Sequence, residues 1–323
     1  MSTTPGSQQA EETLALLSSI RRAPGQVGDY APHKPLMLLL ALARVQQGKN
    51  RLTTFREVEP KLKGLLQEFA RSDAEKTRHL PYWRLKNDHA GRLWEVRDSA
   101  GQMNTSAVDP PALTVLRTSD VGAGFSPHIY DALRGDRQLV VQAAREILDA
   151  NFPASLHADI AEAVGLDLQD ATESVAAGQH IDAAISSRRS RNPAFRQEVL
   201  RAYEYRCCVC GFDLRVGHMP AGLEAAHIQW HNIGGPDEVS NGLALCSLHH
   251  KLFDLGAFTV EHADLRVVFS QHAIAGNRGL DGELRHHGRP LLAPQQRNMR
   301  PGESYLAWNH RNVFKAPART LDA

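Results

Sequence analysis

The residues able to do chemistry crowd into the last third of this chain. Cys207-x-x-Cys210-Gly211 sets two thiols three positions apart on a turn that Gly211 lets close. Cys246-x-x-His249 supplies a second pair. Two thiols plus a thiol and an imidazole at zinc-ribbon spacing make a tetrahedral set, so Cys207, Cys210, Cys246 and His249 are expected to hold a structural Zn2+. All four cysteines fall between 207 and 246, whereas a disulfide framework would spread them through a small secreted chain. Cys208 is left over as a buried spectator.

Between the two pairs lies Leu223-Glu224-Ala225-Ala226-His227-Ile228. Asn241-Gly242-Leu243 follows, then His250 within Leu248-His249-His250-Lys251-Leu252-Phe253-Asp254. With the zinc knuckles, these segments resemble the HNH (ββα-metal) endonucleases over roughly residues 192–262. The matching features are the AAHI strand, NGL as a helix start, and the LHHxLFD helix. The resemblance implies a metal-dependent DNA endonuclease with His227, Asn241 and His250 as its catalytic trio. Phosphodiester hydrolysis needs an activated water, a cation on the developing charge and help for the leaving 3′-oxygen. A neutral imidazole suits general-base work near pH 7, so His227 is the expected base. By the same resemblance, His250 binds the catalytic divalent metal, and Asn241 orients the base or supports that metal. Many such enzymes carry a metal-binding Asp directly before the first His. Here that position is Ala226, and the replacement is Glu224, Asp254, Asn241 or His227 itself. A nitrogen-rich shell of His227, Asn241 and His250 favours Mn2+, Co2+ or Ni2+ over Mg2+. Adjacent positions on a helix point about 100° apart, so His249 can face the zinc while His250 faces the cleft.

These residues must be positioned by a fold, and 323 residues suggest two domains. Net charge is only +1, which hides a local switch. Residues 159–182 hold six acids and no Lys or Arg, and 188–206 hold six Arg against two Glu. A small, polar linker is expected at 169–187. Arg188, Arg189 and Arg191, followed by Arg196, Arg201 and Arg206, are candidates for DNA-backbone contact. Helices are expected over 36–47, 55–70, 138–150 and 194–205, from apolar residues at helical spacing. Residues 82–85 and 93–97 read as paired strands, and residues from 305 on as a closing helix in which His310 is core or surface. The expected class is α+β: a mainly helical N-terminal reader with a small sheet, then a ββα-metal nuclease domain with a zinc knuckle.

Ala31-Pro32-His33-Lys34-Pro35-Leu36, and His79-Leu80-Pro81-Tyr82-Trp83-Arg84-Leu85 ahead of Leu93-Trp94, resemble the sulfur-binding domains of type IV, modification-dependent restriction enzymes. The similarity covers roughly residues 10–165. It implies recognition of phosphorothioated DNA, and in some members of methylated bases. A sulfur replacing a non-bridging oxygen is larger, more polarisable and less hydrated, so an apolar cup can select it. Leu80, Pro81 and Tyr82 are candidates for the cup, with His33, Lys34 and Arg84 on the neighbouring phosphates. The polar stretch 117–125 is a candidate base-reading loop. The expected organisation is a reader at 1–168, a linker at 169–187 and a nuclease at 188–323. The expected function is cleavage of phosphorothioated double-stranded DNA. The rivals are an HNH nuclease reading another mark or plain sequence, and a non-catalytic, zinc-stabilised DNA-binding protein. A homodimer is expected, since one HNH site cuts one strand. With no apolar run of transmembrane length and no secretion signal, no membrane contact is expected. The expected location is the cytoplasm, at the bacterial nucleoid.

Overall fold

A computed structural model describes residues 5–20, 30–98, 100, 102, 109–169, 193–274, 276 and 279–320. The expected linker and Arg188, Arg189 and Arg191 lie outside the described residues. The chain divides into two compact units, one spanning 1–25, 31–151 and 157–180, the other 26–30, 152–156 and 181–323.

The first unit is built on α2 (His33–Gln46). Its run from Pro35 to Ala43 is buried on every side. A helix apolar all round must be enclosed, and α2 is contacted by α3 (Phe55–Phe69), α4 (His79–Arg84), α6 (Pro127–Gly135), α7 (Arg137–Asn151) and α8 (His157–Val164). On α3, Val58, Leu62, Leu65, Leu66 and Phe69 form the buried stripe that helical spacing dictates. Helix α1 (Pro5–Ser18) packs on α6 and α7. A small antiparallel sheet completes the unit, with β3 (Gly122–Phe125) between β1 (Thr53–Thr54) and β2 (Trp94–Arg97). Gly124 is required in β3, because a Cβ there would lie 1.9 Å from the Arg51 carbonyl oxygen.

Two expectations fail in this unit. Residues 82–85 are not a strand paired with 93–97, since 79–84 is α4 and β2 pairs with β3. Aromatic residues favour strands because they fit a pleated, half-buried surface. Tyr82 and Trp83 are instead fully buried neighbours, and tertiary packing overrides the local preference. Nor is 117–125 one flexible loop: α5 (Leu113–Thr118) ends in it and β3 occupies its second half.

In the second unit, β6 (Leu223–His227) pairs antiparallel with β7 (Gly242–Cys246), with Leu223 opposite Cys246 and His227 opposite Gly242. Helix α10 (Ser247–Asp254) follows at once, giving the ββα order. The expected helix start at Asn241-Gly242-Leu243 is corrected. Asn241 closes a 3-10 turn, and the five wholly buried residues of β7 run on as a strand before the helix begins at Ser247. Helix α9 (Pro193–Ala202) lies on both strands. The approach leaves no room for a side chain at 242, where a Cβ would meet Val199 Cγ2 at 2.4 Å and the Phe195 ring at 3.2 Å. The hairpins β4–β5 (Arg215–Val216, Met219–Pro220) and β8–β9 (Phe258–Val260, Val267–Phe269) and the short helix α11 (Gly279–Leu284) follow. The closing helix is α12 (Glu303–Asn312), which contacts β8 and leaves His310 exposed. Tyr30 and residues 152–156 pack in this unit although the sequence around them belongs to the first.

Candidate nuclease centre and DNA-reading surface

The knuckle comes together as its spacing predicts. Ligand atoms of Cys207, Cys210, Cys246 and His249 all lie within 4.8 Å of one another. His249 Nδ1 is 3.1 Å from the Cys246 sulfur and 3.6 Å from that of Cys207. Hydrogen bonds from Cys210 and Cys246 hold the Cys207 thiol below its ordinary pKa. The donor set and its convergence fit a tetrahedral Zn2+. Glu283 Oε2 lies 2.9 Å from His249 Nε2, behind the ligating nitrogen. The two atoms are close but not aligned for a hydrogen bond, so Glu283 is a charged neighbour of the ligating imidazole. Cys208 stays out of the cluster, buried, with its backbone N–H donating to Ala244 O.

His227 ends β6, where the ladder with Gly242 fixes its backbone. Its ring stacks on Phe195 at 4.1 Å between centroids and 15° between planes. Nε2 lies 2.8 Å from Asp237 Oδ1. The carboxylate sets which nitrogen carries the proton, and Phe195 sets the plane of the ring. Asp237 was invisible to motif reading, since the GGPD turn that carries it looks like any surface turn. His231, 4.0 Å away through Nε2, shares the same carboxylate.

Asn241 is fully buried and acts on the loop after His227. Its Oδ1 accepts from Gln229 N at 2.8 Å, and Nδ2 donates to Gln229 O and Pro236 O at 3.0 Å each. Its own carbonyl accepts from Ile228 N at 2.9 Å. With its amide spent on backbone, Asn241 is placed as the residue that shapes the base's loop. Of its two expected roles, orienting the base or supporting the metal, these contacts fit the first.

His250 is buried with a carboxylate at each ring nitrogen. Nδ1 is 2.5 Å from Glu224 Oε2, and Nε2 is 3.2 Å from Asp254 Oδ2. Burial pulls its pKa down, but Asp254 and Glu224 outweigh that and raise it to about 9. The two acids differ. Glu224 is 40% exposed at its side chain, whereas Asp254 is buried and also accepts from Trp230 Nε1 at 3.0 Å. Glu224 and His250 Nδ1 therefore fit an open divalent-cation site on the solvent side, and Asp254 fits an orienting group behind it. Of the replacements considered for the Asp missing at Ala226, geometry favours Glu224. It sits two residues from Ala226 on β6, hence on the same face of the strand.

The expected reader residues are not gathered into one cup. Tyr82 is a core residue, its hydroxyl within 2.8 Å of both the Thr53 and Val121 carbonyl oxygens, which removes it from an exposed surface. Pro81 is buried beside it. Lys34 is paired with buried Asp88 at 2.6 Å. His33 Nε2 lies 2.9 Å from Ala74 O and 3.0 Å from Thr77 Oγ1, and burial lowers its pKa. Leu80 is half-buried and Arg84 exposed, one turn apart on α4. Of the basic strip after the linker, Arg196 donates to Leu223 O at 3.1 Å, Arg206 pairs with Glu204, and Arg201 is exposed.

Residues 10–169 match the family described as the ScoMcrA-like DNA sulfur-binding domain, and residues 207–261 the family described as HNH endonuclease. No curated protein matches. Among solved structures, the sulfur-binding domain of ScoMcrA complexed with phosphorothioated DNA is 24% identical, over 47% of this chain and 94% of that one, with a TM-score of 0.40. The sulfur-binding and SRA domains of ScoMcrA on the same kind of DNA give 25% identity, 53% and 49% coverage and 0.41. The modification-dependent TagI restriction endonuclease gives 24%, 39% and 41%, and 0.28. The alignment spans only 32% of ScoMcrA described as the type IV phosphorothioation-dependent endonuclease. At these scores the two family matches carry the assignment: the chain joins a ScoMcrA-like DNA sulfur-binding domain to an HNH endonuclease domain.

Proposed function

We propose that this chain is a modification-dependent restriction endonuclease that binds phosphorothioated double-stranded DNA and hydrolyses phosphodiester bonds nearby. The observation that carries the nuclease half of this reading is the pairing of His227 with Asp237 at 2.8 Å. A zinc module that only bound DNA would have no use for an imidazole held in this way. In the proposed step, Nδ1 of His227, the ring nitrogen that does not face Asp237, takes a proton from the attacking water. Asp237 steadies the imidazolium that forms, and Phe195 keeps the ring in line. Glu224 and His250 would hold the divalent cation, and Asn241 keeps the loop after the base in place. When bound, that ion would place positive charge at the scissile phosphate and the leaving 3′-oxygen. Mn2+, Co2+, Ni2+ and Mg2+ remain the candidates for it, and Zn2+ is the knuckle's ion.

Support for the reading half is the sulfur-binding-domain match over 10–169. On this chain the exposed edge of α4 is the proposed contact surface, with Leu80 against the sulfur and Arg84 on a phosphate. Residues 1–168 are proposed as the reader, 169–187 as the linker and 188–323 as the nuclease, which Tyr30 and 152–156 join. Arg188, Arg189 and Arg191 are proposed DNA-backbone contacts, and a homodimer is proposed because each centre cuts one strand. No helix among the described residues is long and apolar enough to cross a membrane.

The test is binding and cleavage of matched duplexes carrying phosphorothioate, methylated bases or no mark, with Mn2+ present. Preference for the phosphorothioate duplex by a factor of about ten to a thousand is expected if one apolar contact discriminates. Equal binding to all three at several salt concentrations would remove the sulfur from the reading and leave a nuclease directed by another mark or by sequence.

A further inference from the structure

Asp254, the carboxylate behind His250, is held by residues that lie outside the nuclease motif. We propose that Ser155 is a positioning residue of the nuclease centre, acting on His250 through Asp254, with Tyr30 supporting the same carboxylate through Trp230. This rests on the reading of His250 as a ligand of the catalytic metal.

The contacts are specific. Ser155 Oγ donates to Asp254 Oδ2, the same oxygen that faces His250 Nε2 at 3.2 Å. Lys251 Nζ, one turn earlier on α10, donates to the Ser155 carbonyl, so the segment is gripped through both main chain and side chain. On the other side, Trp230 Nε1 donates to Asp254 Oδ1 at 3.0 Å. Tyr30 meets the Trp230 ring edge-on, at 4.9 Å and 75°, and its backbone N–H donates to Asn312 Oδ1 at 3.0 Å. Asp254 is 3% exposed, so these donors stand in for water.

A buried carboxylate with both oxygens engaged has one orientation, and it imposes that orientation on the imidazole it faces. Here it holds Nε2 as a protonated nitrogen and thereby fixes the direction in which Nδ1 faces Glu224. Without the Ser155 hydroxyl, the contacts left among the described residues are Trp230 on Oδ1 and the longer one to His250 on Oδ2, so the oxygen that faces the imidazole loses its neutral donor and is held more loosely. The imidazole then loses its fixed direction, although no ligand has been removed.

The sequence positions give the arrangement its interest. Ser155 lies four residues after α7 ends and two before α8 begins, and Tyr30 lies three residues before α2. Both stand within the stretch that matches the sulfur-binding domain, yet both pack in the nuclease unit. The metal ligand's support is thus supplied from the reading half of the sequence. The HNH match at 207–261 contains neither residue.

The test uses the full chain with Ser155→Ala and Ser155→Thr, and Mn2+ as the probe. Binding of Mn2+ without DNA is followed by the electron paramagnetic resonance of the free ion. Ser155→Ala should bind about tenfold more weakly, the lower end of what loss of an outer hydrogen bond does at metal sites. Ser155→Thr, which keeps the hydroxyl, should restore binding to within about threefold of wild type, a scatter small against that tenfold loss. On cleavable DNA, kcat should fall in Ser155→Ala while KM and zinc content stay unchanged. If Ser155→Ala does not fold, Ser155→Cys, with a weaker donor of similar size, takes its place. Equal Mn2+ affinity in wild type and variant, including no binding by either, overturns the proposal. Weakened Mn2+ binding in a protein that cuts no DNA would leave the positioning role standing and remove the restriction reading instead.

Discussion

The two halves of the molecule spend their polar side chains in opposite ways. In the nuclease unit the titratable groups are aimed at one another: His227 at Asp237, His250 at Glu224 and Asp254, three thiols at His249. In the sulfur-binding unit the conspicuous residues are consumed by their own fold. Lys34 neutralises Asp88, His33 meets the Ala74 carbonyl, and Tyr82 braces β1 and the approach to β3. Groups that must act together on one atom need mutual geometry fixed within fractions of an ångström. A surface that reads a duplex can instead distribute its contacts, and little of it needs to be visible as a cluster.

The sharpest way to break this contrast is to take the metal from the knuckle. Cys210→Ser should reduce bound zinc from one ion per chain to none and unfold the second unit, since structural zinc contributes on the order of 10 kcal/mol to folding. The first unit, which has no part in the cluster, should keep its own melting transition. Zinc-free protein with a folded nuclease unit would show that the four ligands are only a buried thiol cluster.

A smaller and more local effect is expected at the base. His227→Ala should lower kcat by about a thousandfold with DNA affinity nearly unchanged, because the group acts in the transition state. Asp237→Asn should lose about a hundredfold, with the protein still folded and still holding zinc, since an amide no longer fixes the proton on the right nitrogen. Full activity of Asp237→Asn would reduce the pair to a surface contact and bring the two halves closer in character.

The smallest effect probes the reading half. Tyr82→Phe should cost about 1–2 kcal/mol of stability, measured by denaturant, because the hydroxyl's buried carbonyl partners lose their donor. It should leave the ratio of phosphorothioate to plain DNA binding unaltered. Arg84→Ala should leave stability alone, weaken both duplexes and reduce the salt dependence by about one counterion. If Tyr82→Phe erased the preference while Arg84→Ala did nothing, the core would be reading the DNA, and the proposed contact surface would be misplaced.

What the sequence discloses follows the same division. The spacing of Cys207, Cys210, Cys246 and His249 is what a single tetrahedral site would demand, so the cluster could be foreseen down to its members. The ββα order was legible from the AAHI and LHHxLFD segments, but Asn241-Gly242-Leu243 was not. A buried strand and a buried helix start look alike when the residues that follow, here Gly242–Cys246, offer no polar alternation. Asp237 and Ser155 carry no local signature, because their roles depend on partners brought near by folding. In the first unit, α2, α3 and α7 were readable from their stripes. Helix α4 was missed because Tyr82 and Trp83 bring the composition of a strand to a site enclosed by helices. The expected cup failed for a related reason: a motif tells which residues recur together, and Tyr82 serves the core.

Helix α9 bears on how this enzyme could be divided. The HNH match begins at 207, yet Phe195 of α9 supplies the face on which His227 lies, and Val199 fills the space left open at Gly242. A nuclease cassette cut at the family boundary would keep every proposed catalytic side chain and lose the surface that aligns the proposed base. A transplantable module would have to begin no later than Pro193. A chimera that swapped cassettes at 207 would be judged inactive for a fault of carpentry rather than of chemistry.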